Sequence, residues 1–206
     1  GFRDLDDVIA AGAPLKPGDR VYRKWMNKSF MAFVIGSDPI EKGMNILGAH
    51  IDSPRIDVKQ NPLFEDGGFA YLDTHYYGGI KKYQWLAMPL ALHGVIVKKD
   101  GSTVTVAIGE KPGDPVLCIS DLLPHLAQEQ MAKTASKFID GEALNILIGS
   151  APRDGDDKDA VKAAILDILA RDYGVEEEDF ISAELEAVPA GAARDMGLDR
   201  SMILGY

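Results

Sequence analysis

Cysteine occurs once in these 206 residues, at Cys118, so no disulfide can form within the chain, and a reducing compartment is expected. Cys118 lies in the apolar stretch Val116-Leu-Cys-Ile119 with no base beside it, which suits a small packed residue better than a nucleophile. Long apolar runs are also missing. Nothing approaches the ~20 residues that a membrane span needs, so no membrane partner is expected. Basic residues are in deficit, 22 against 32 acidic, for a formal net charge of -10, and such a surface repels a phosphate backbone. Nucleic acid is therefore not an expected partner. The first residues, Gly1-Phe-Arg-Asp-Leu-Asp-Asp, lack the basic-then-apolar order of a signal peptide, and the expected location is cytoplasmic. The remaining composition, 46% hydrophobic and 26% charged, is that of a globular protein able to bury a core.

Periodicity predicts short strands in the first third, at 21–24, 29–35, 44–49, 55–59 and 69–74, broken by Gly36-Ser-Asp-Pro39, Asn61-Pro62 and Asp66-Gly67-Gly68. Residues 44–49 are apolar without alternation, as in a strand covered on both faces. Residues 55–59 alternate like a half-exposed one. A hairpin is expected from 92–98 and 103–108 around Asp100-Gly101. A helix capped by Ser120 is expected through Leu122, Leu123, Leu126 and Met131, with Pro124 in its first turn. A strand at 145–148 should precede a second helix capped by Asp156 or Asp157, with Val161, Ile165, Ile168 and Leu169 on one face and Gly174 as its stop. A strand at 181–188 follows. The order of elements from 92 to 190 suggests a compact α/β domain of its own.

The chemistry-bearing segment is Asn45-Ile-Leu-Gly-Ala-His50-Ile-Asp52-Ser-Pro54, which delivers an imidazole and then a carboxylate at the end of an apolar run. Neutral imidazole binds a divalent ion through one nitrogen. A carboxylate accepting from the other N–H sets the tautomer and raises ligand basicity. His50 is the candidate metal ligand and Asp52 its orienting partner, set against a plain hydrogen-bonded histidine at a strand end. His75 and His93 receive no role. Ser53 lies near His50, but no Gly-x-Ser-x-Gly elbow supports a serine hydrolase.

Four segments in order, Gly48-Ala-His50-Ile-Asp52-Ser-Pro54, Thr74-His-Tyr-Tyr-Gly78-Gly79-Ile80 with Trp85, Leu123-Pro-His125-Leu-Ala127, and Met202-Ile-Leu-Gly-Tyr206, resemble the M18 family of metallo-aminopeptidases, the aspartyl aminopeptidase and aminopeptidase I group. The resemblance implies an α/β fold. In it, a partial dinuclear-zinc-peptidase-type sheet, residues 1–91, is interrupted by a smaller α/β insert for dimerisation, residues 92–190, and resumed in 191–206. It implies hydrolysis of the first peptide bond of a peptide, with two zinc ions, or cobalt or manganese, and a glutamate base. On it, His50 binds metal and Asp52 supports it. Gly78 and Gly79 contact substrate, and His125 reaches the active site of a neighbouring subunit in an assembly of dimers, in relatives a tetrahedral dodecamer. The base and the other metal ligands of the family pattern fall after Tyr206, so no catalytic residue is expected within the chain, which is expected to be an N-terminal portion inactive alone. The segment from Gln84 to Pro89 departs from the family's Trp-x-x-Asp-Arg pattern, so a preference for acidic residues is not carried over. The competing expectation is a non-catalytic assembly or binding module derived from a peptidase.

Overall fold

The computed structural model describes residues 1–26, 28–155 and 158–205, and the chain divides into two compact units, 1–52 and 53–206. In the first unit, β1 (Arg3–Asp4) leads into α1 (Leu5–Ala10), where the Asp4 carboxylate accepts the Asp6 N–H at 3.0 Å and so satisfies one of the free donors of the helix start. Strands β2 (Arg20–Trp25) and β3 (Ser29–Val34) pair antiparallel, and β1 joins β2 in parallel to give the order β1-β2-β3. The two strands expected at 21–24 and 29–35 are therefore present. Val8 and Val21 are buried, but β3 leaves Phe30, Met31, Phe33 and Val34 exposed.

The strand expected at 44–49 does not form. These residues are irregular, with Ile46 at 78% exposure and Leu47 fully exposed. A strand covered on both faces needs ladder partners on both sides, and none of the described strands pairs with this run.

The second unit is built on a six-stranded antiparallel sheet. Its strands are β4 (Arg55–Asp66), β5 (Phe69–Tyr77), β6 (Leu90–Val97), β7 (Thr103–Ile108), β8 (Ile146–Gly149) and β9 (Ala183–Pro189), in the order β7-β6-β9-β4-β5-β8. The expected hairpin is β6–β7, with Val97 opposite Thr103. Asn61-Pro62 was expected to break the chain. Instead β4 continues through it, and the register against β5 shifts between Val58 and Leu63 as a bulge, the usual way a strand accommodates proline. A short antiparallel hairpin, β10 (Arg194–Met196) with β11 (Met202–Leu204), ends the described chain.

The dividing line expected between residues 91 and 92 falls inside β6 of this sheet. β9 pairs with β6 on one side and β4 on the other, so strands from both sides of that line share one ladder and one core of Ile56, Leu92, Ile96, Val106, Leu185 and Ala187. Gly94 sits in the middle of that ladder, paired with Val106 and Leu185.

The helix expected from Ser120 is reduced to one turn, α2 (Gln128–Met131). Residues 124–126 form a turn within otherwise irregular chain, and Leu122, Leu123 and Leu126 are exposed. An apolar stripe favours helix only where it has a surface to bury against, and Pro124 supplies no N–H. The later helix is present as α3 (Ala160–Tyr173), with Val161 buried and Ile165 and Leu169 half-buried on the core, whereas Ile168 faces solvent. Gly174, at φ +61°, ends it: its N–H donates to Ala170 O and the Val175 N–H to Leu169 O, the geometry of a left-handed stop. Asp156, Asp157 and Tyr206 lie outside the described residues.

Candidate functional site

His50 follows the irregular apolar run, and its ring is 85% exposed. The ring Nδ1 lies 3.0 Å from the Asp52 backbone carbonyl and 3.3 Å from Asp52 Oδ1. Both are oxygens that accept, so Nδ1 carries the hydrogen, and in the neutral ring Nε2 then has the lone pair. The arrangement needs only the two-residue spacing: the chain turns at Asp52 so that both of its oxygens come back to the ring. Ile51, between them, lines an apolar hollow of the first unit with Phe2, Tyr22 and Phe30.

An imidazole held in this tautomer suits one arm of a divalent-ion site. It is one arm only. Among the described residues, no group of three or more His, Cys, Asp or Glu side chains is arranged to hold a metal ion.

The other sequence-selected residues lie on the second unit. Gly78 takes φ +75° directly after β5, with room beside it: a methyl placed there would rest about against the Pro54 ring in ordinary contact. Its left-handed backbone is therefore what demands glycine. His125 sits in the exposed turn of residues 124–126. His75 stacks on Tyr76 with ring centroids 5.6 Å apart, and His93 Nε2 lies 2.8 Å from Glu110 Oε1, so each has a local partner.

Sequence reasoning missed a charged cluster beside the Ser53-Pro54 break. Arg55 Nε donates to Asp57 Oδ1 at 2.8 Å and lies 3.0 Å from Glu186 Oε1, while the guanidinium stacks 4.2 Å over the Tyr77 ring. Burial alone would lower the pKa of Arg55. The hydrogen bond to Asp57 and the charges of Glu186 and Asp57 outweigh it, and the net shift is upward. The Arg-x-Asp alternation of β4 was the visible signal that both side chains share a face. Glu186 could not be found that way, because it arrives on β9, opposite Asp57 in the ladder.

Residues 1–206 match the protein-family model described as aminopeptidase I zinc metalloprotease (M18). A probable M18 family aminopeptidase 1 of Clostridium acetobutylicum is 59% identical over all of this chain and 44% of its own length, and one of Thermotoga maritima is 49% identical over the same shares. The crystal structure of aminopeptidase I from Clostridium acetobutylicum superposes with a TM-score of 0.87 at 57% identity, covering 100% of this chain and 45% of that one. The M18 aminopeptidase structure from Thermotoga maritima gives 0.86 at 46% identity, covering 98% and 44%. A structure described as the S. cerevesiae mApe1 dodecamer shares the fold at a TM-score of 0.57 and 21% identity, covering 91% of this chain and 40% of that one. The chain thus spans under half the length of the curated relatives it matches. It belongs to the M18 family of aminopeptidase I zinc metalloproteases.

Proposed function

We propose that this chain is the N-terminal portion of a zinc-dependent aminopeptidase that removes the first residue of peptides. The supporting observation is the His50–Asp52 pair, an exposed imidazole whose Nδ1–H is held by Asp52 so that Nε2 stays free to ligate. Zinc, when bound, supplies Lewis-acid polarisation of the scissile carbonyl and a lowered pKa for the attacking water. His50 would be one ligand and Asp52 would keep its tautomer and basicity. The exposed apolar run leading to His50, and the 44% share of the relatives that the chain spans, support a longer protein that provides the remaining ligands and the base.

Gly78 and Gly79 serve in this reading as a close backbone approach for substrate. His125, on its exposed turn, serves a neighbouring subunit within a dimer-based assembly. The 206 residues alone are inactive.

The experiment is a comparison of the longer protein and the 206-residue chain on a chromogenic aminoacyl substrate with zinc, cobalt or manganese. Turnover is expected only from the longer protein, abolished by a chelator. Asp52→Ala should weaken zinc retention by roughly 10–100-fold, read by metal analysis. Turnover by the short chain, or a longer protein with no chelator-sensitive activity, overturns the reading, and the second result favours a non-catalytic assembly module. His125→Ala should lower turnover without dissolving the oligomer.

A further inference from the structure

The first rung of the β4–β5 ladder sets Arg55 opposite Tyr77, and past it the ladder stops for two local reasons. Pro54 has no N–H to donate, and Gly78 turns away from the strand at φ +75°. The two segments nevertheless stay side by side, since a methyl on Gly78 would lie 3.7 Å from Pro54. Terminal rungs ordinarily fray.

This rung is held by its side chains. The Arg55 guanidinium stacks 4.2 Å over the Tyr77 ring, while its Nε donates to Asp57 Oδ1 at 2.8 Å and lies 3.0 Å from Glu186 Oε1. Asp57 and Glu186 stand opposite each other on β4 and β9, and two facing carboxylates repel unless a cation lies between them. One guanidinium therefore joins three strands: β4, which carries it, β9 through Glu186, and the end of β5 through Tyr77. The Arg55 side chain is only 19% exposed, so salt screens these contacts little. Lying flat on a ring while serving two carboxylates needs a planar cation, which lysine is not.

Directly past Tyr77 the chain delivers Gly78 and Gly79. Both are exposed, and among the described residues neither makes a backbone hydrogen bond. Beside Gly79 the space that a β-carbon would enter is open. Their peptide groups are thus available to the backbone of an extended peptide, and the rung before them decides where they stand.

We propose that Arg55 is the positioning residue of the Gly78–Gly79 segment: by pinning Tyr77 to β4 and β9, it fixes two unpaired peptide groups where the backbone of a peptide substrate is held. Arg55 itself touches no reacting atom. The substrate rests on the peptidase reading, whereas the clamp does not. Contacts to a substrate backbone that are the same before and during bond cleavage set KM and leave kcat unchanged.

The test has two arms. In the longer protein, Arg55→Met should raise KM for a tripeptide by roughly tenfold, as for the loss of one backbone contact, with kcat and zinc content unchanged. Arg55→Lys keeps a charge between the carboxylates but offers no planar face to Tyr77, so its KM should fall between those of wild type and Arg55→Met. In the 206-residue chain, nitrogen-15 relaxation should give Gly78 and Gly79 order parameters in the rigid range, about 0.85, falling below about 0.6 in Arg55→Met while β6 and β7 stay unchanged. An unchanged KM in Arg55→Met, a fall in kcat or zinc content without a rise in KM, or glycines equally rigid in both chains would each overturn the assignment. If Arg55→Met does not fold, Arg55→Lys decides by the same two readings, and wild-type values in both overturn it. A longer protein without chelator-sensitive turnover overturns the peptidase reading instead, and the relaxation arm still decides the clamp.

Discussion

Glu65, on β4, caps α3 from 96 residues away: its Oε2 accepts the N–H groups of Val161 at 2.8 Å and Lys162 at 2.9 Å. The residue at the N-cap position itself, Asp159, has left-handed backbone and makes no capping hydrogen bond through its side chain. The helix start therefore depends on the sheet, and each of the two donors would otherwise lack an intrahelical acceptor. Glu65→Ala should destabilise the chain by about 1–2 kcal/mol in urea unfolding, and Glu65→Gln should keep most of that stability because an amide oxygen still accepts. Equal losses in the two variants would show that charge rather than capping matters.

Gly94 faces the Glu184 carbonyl across the β6–β9 ladder, so closely that a β-carbon would overlap the oxygen and crowd Leu185. Its φ is +145°, another reason that an L side chain does not fit. Gly94→Ala should cost more than about 3 kcal/mol, since the clash is with backbone that two strand neighbours hold in place. Chemical denaturation checks this, with Gly101→Ala as the comparison: Gly101 has open space around it, and its cost should be only that of its positive φ.

Lys59 joins Asp73 at 3.1 Å and Glu142 at 2.7 Å. The hydrogen bond to Lys59, with its charge, holds the Glu142 carboxyl below the ordinary glutamate range, and the hydrogen bonds to Glu142 and Asp73 raise Lys59. A lowered acid contributes stability above its unfolded pKa and loses it as pH falls through the folded value. A raised amine contributes below its unfolded pKa and loses it as pH rises through the folded value. The pair should therefore add a constant small increment between the two ordinary pKa values, 4.5 and 10.5, and fade outside them. Carbon-detected NMR titration should find the Glu142 midpoint below the ordinary range, returning toward it in Lys59→Met. High salt should weaken the effect, because Glu142 is exposed.

In its neutral form the His50 ring should show the Nδ1–H tautomer in nitrogen-15 spectra. Asp52→Ala removes the carboxylate but leaves the backbone carbonyl, so the preference should weaken rather than vanish. With one imidazole arm and no clustered partners among the described residues, micromolar zinc should not raise the melting temperature of the 206-residue chain. A zinc-dependent rise lost in His50→Ala would show that further ligands are gathered within this chain.

The elements that were legible in the sequence are those with a local cause. The β6–β7 hairpin follows from two alternating runs around Asp100-Gly101, and the end of α3 follows from Gly174, which alone can adopt the left-handed stop cheaply. Residues 44–49 and 120–127 misled for one shared reason. Their apolar pattern states a need for burial and does not say what will meet it, and the large apolar side chains Ile46, Leu47, Leu122, Leu123 and Leu126 stand exposed. Of the site, the His50–Asp52 contact was legible because it spans two residues. The Arg55 cluster was only half so, since Glu186 reaches it through strand order.

By itself, then, the order of residues determined the short-range facts: a histidine oriented by the carboxylate two positions on, a tight hairpin, a glycine-stopped helix. These need only backbone geometry and neighbouring side chains. Tertiary structure alone decided that β9 lies between β6 and β4, that Glu65 caps a distant helix, and that Leu147 of β8 bridges to Cys118. Each of those is a contact between segments far apart in the chain, whose closure entropy is offset only when the whole sheet and its core form together.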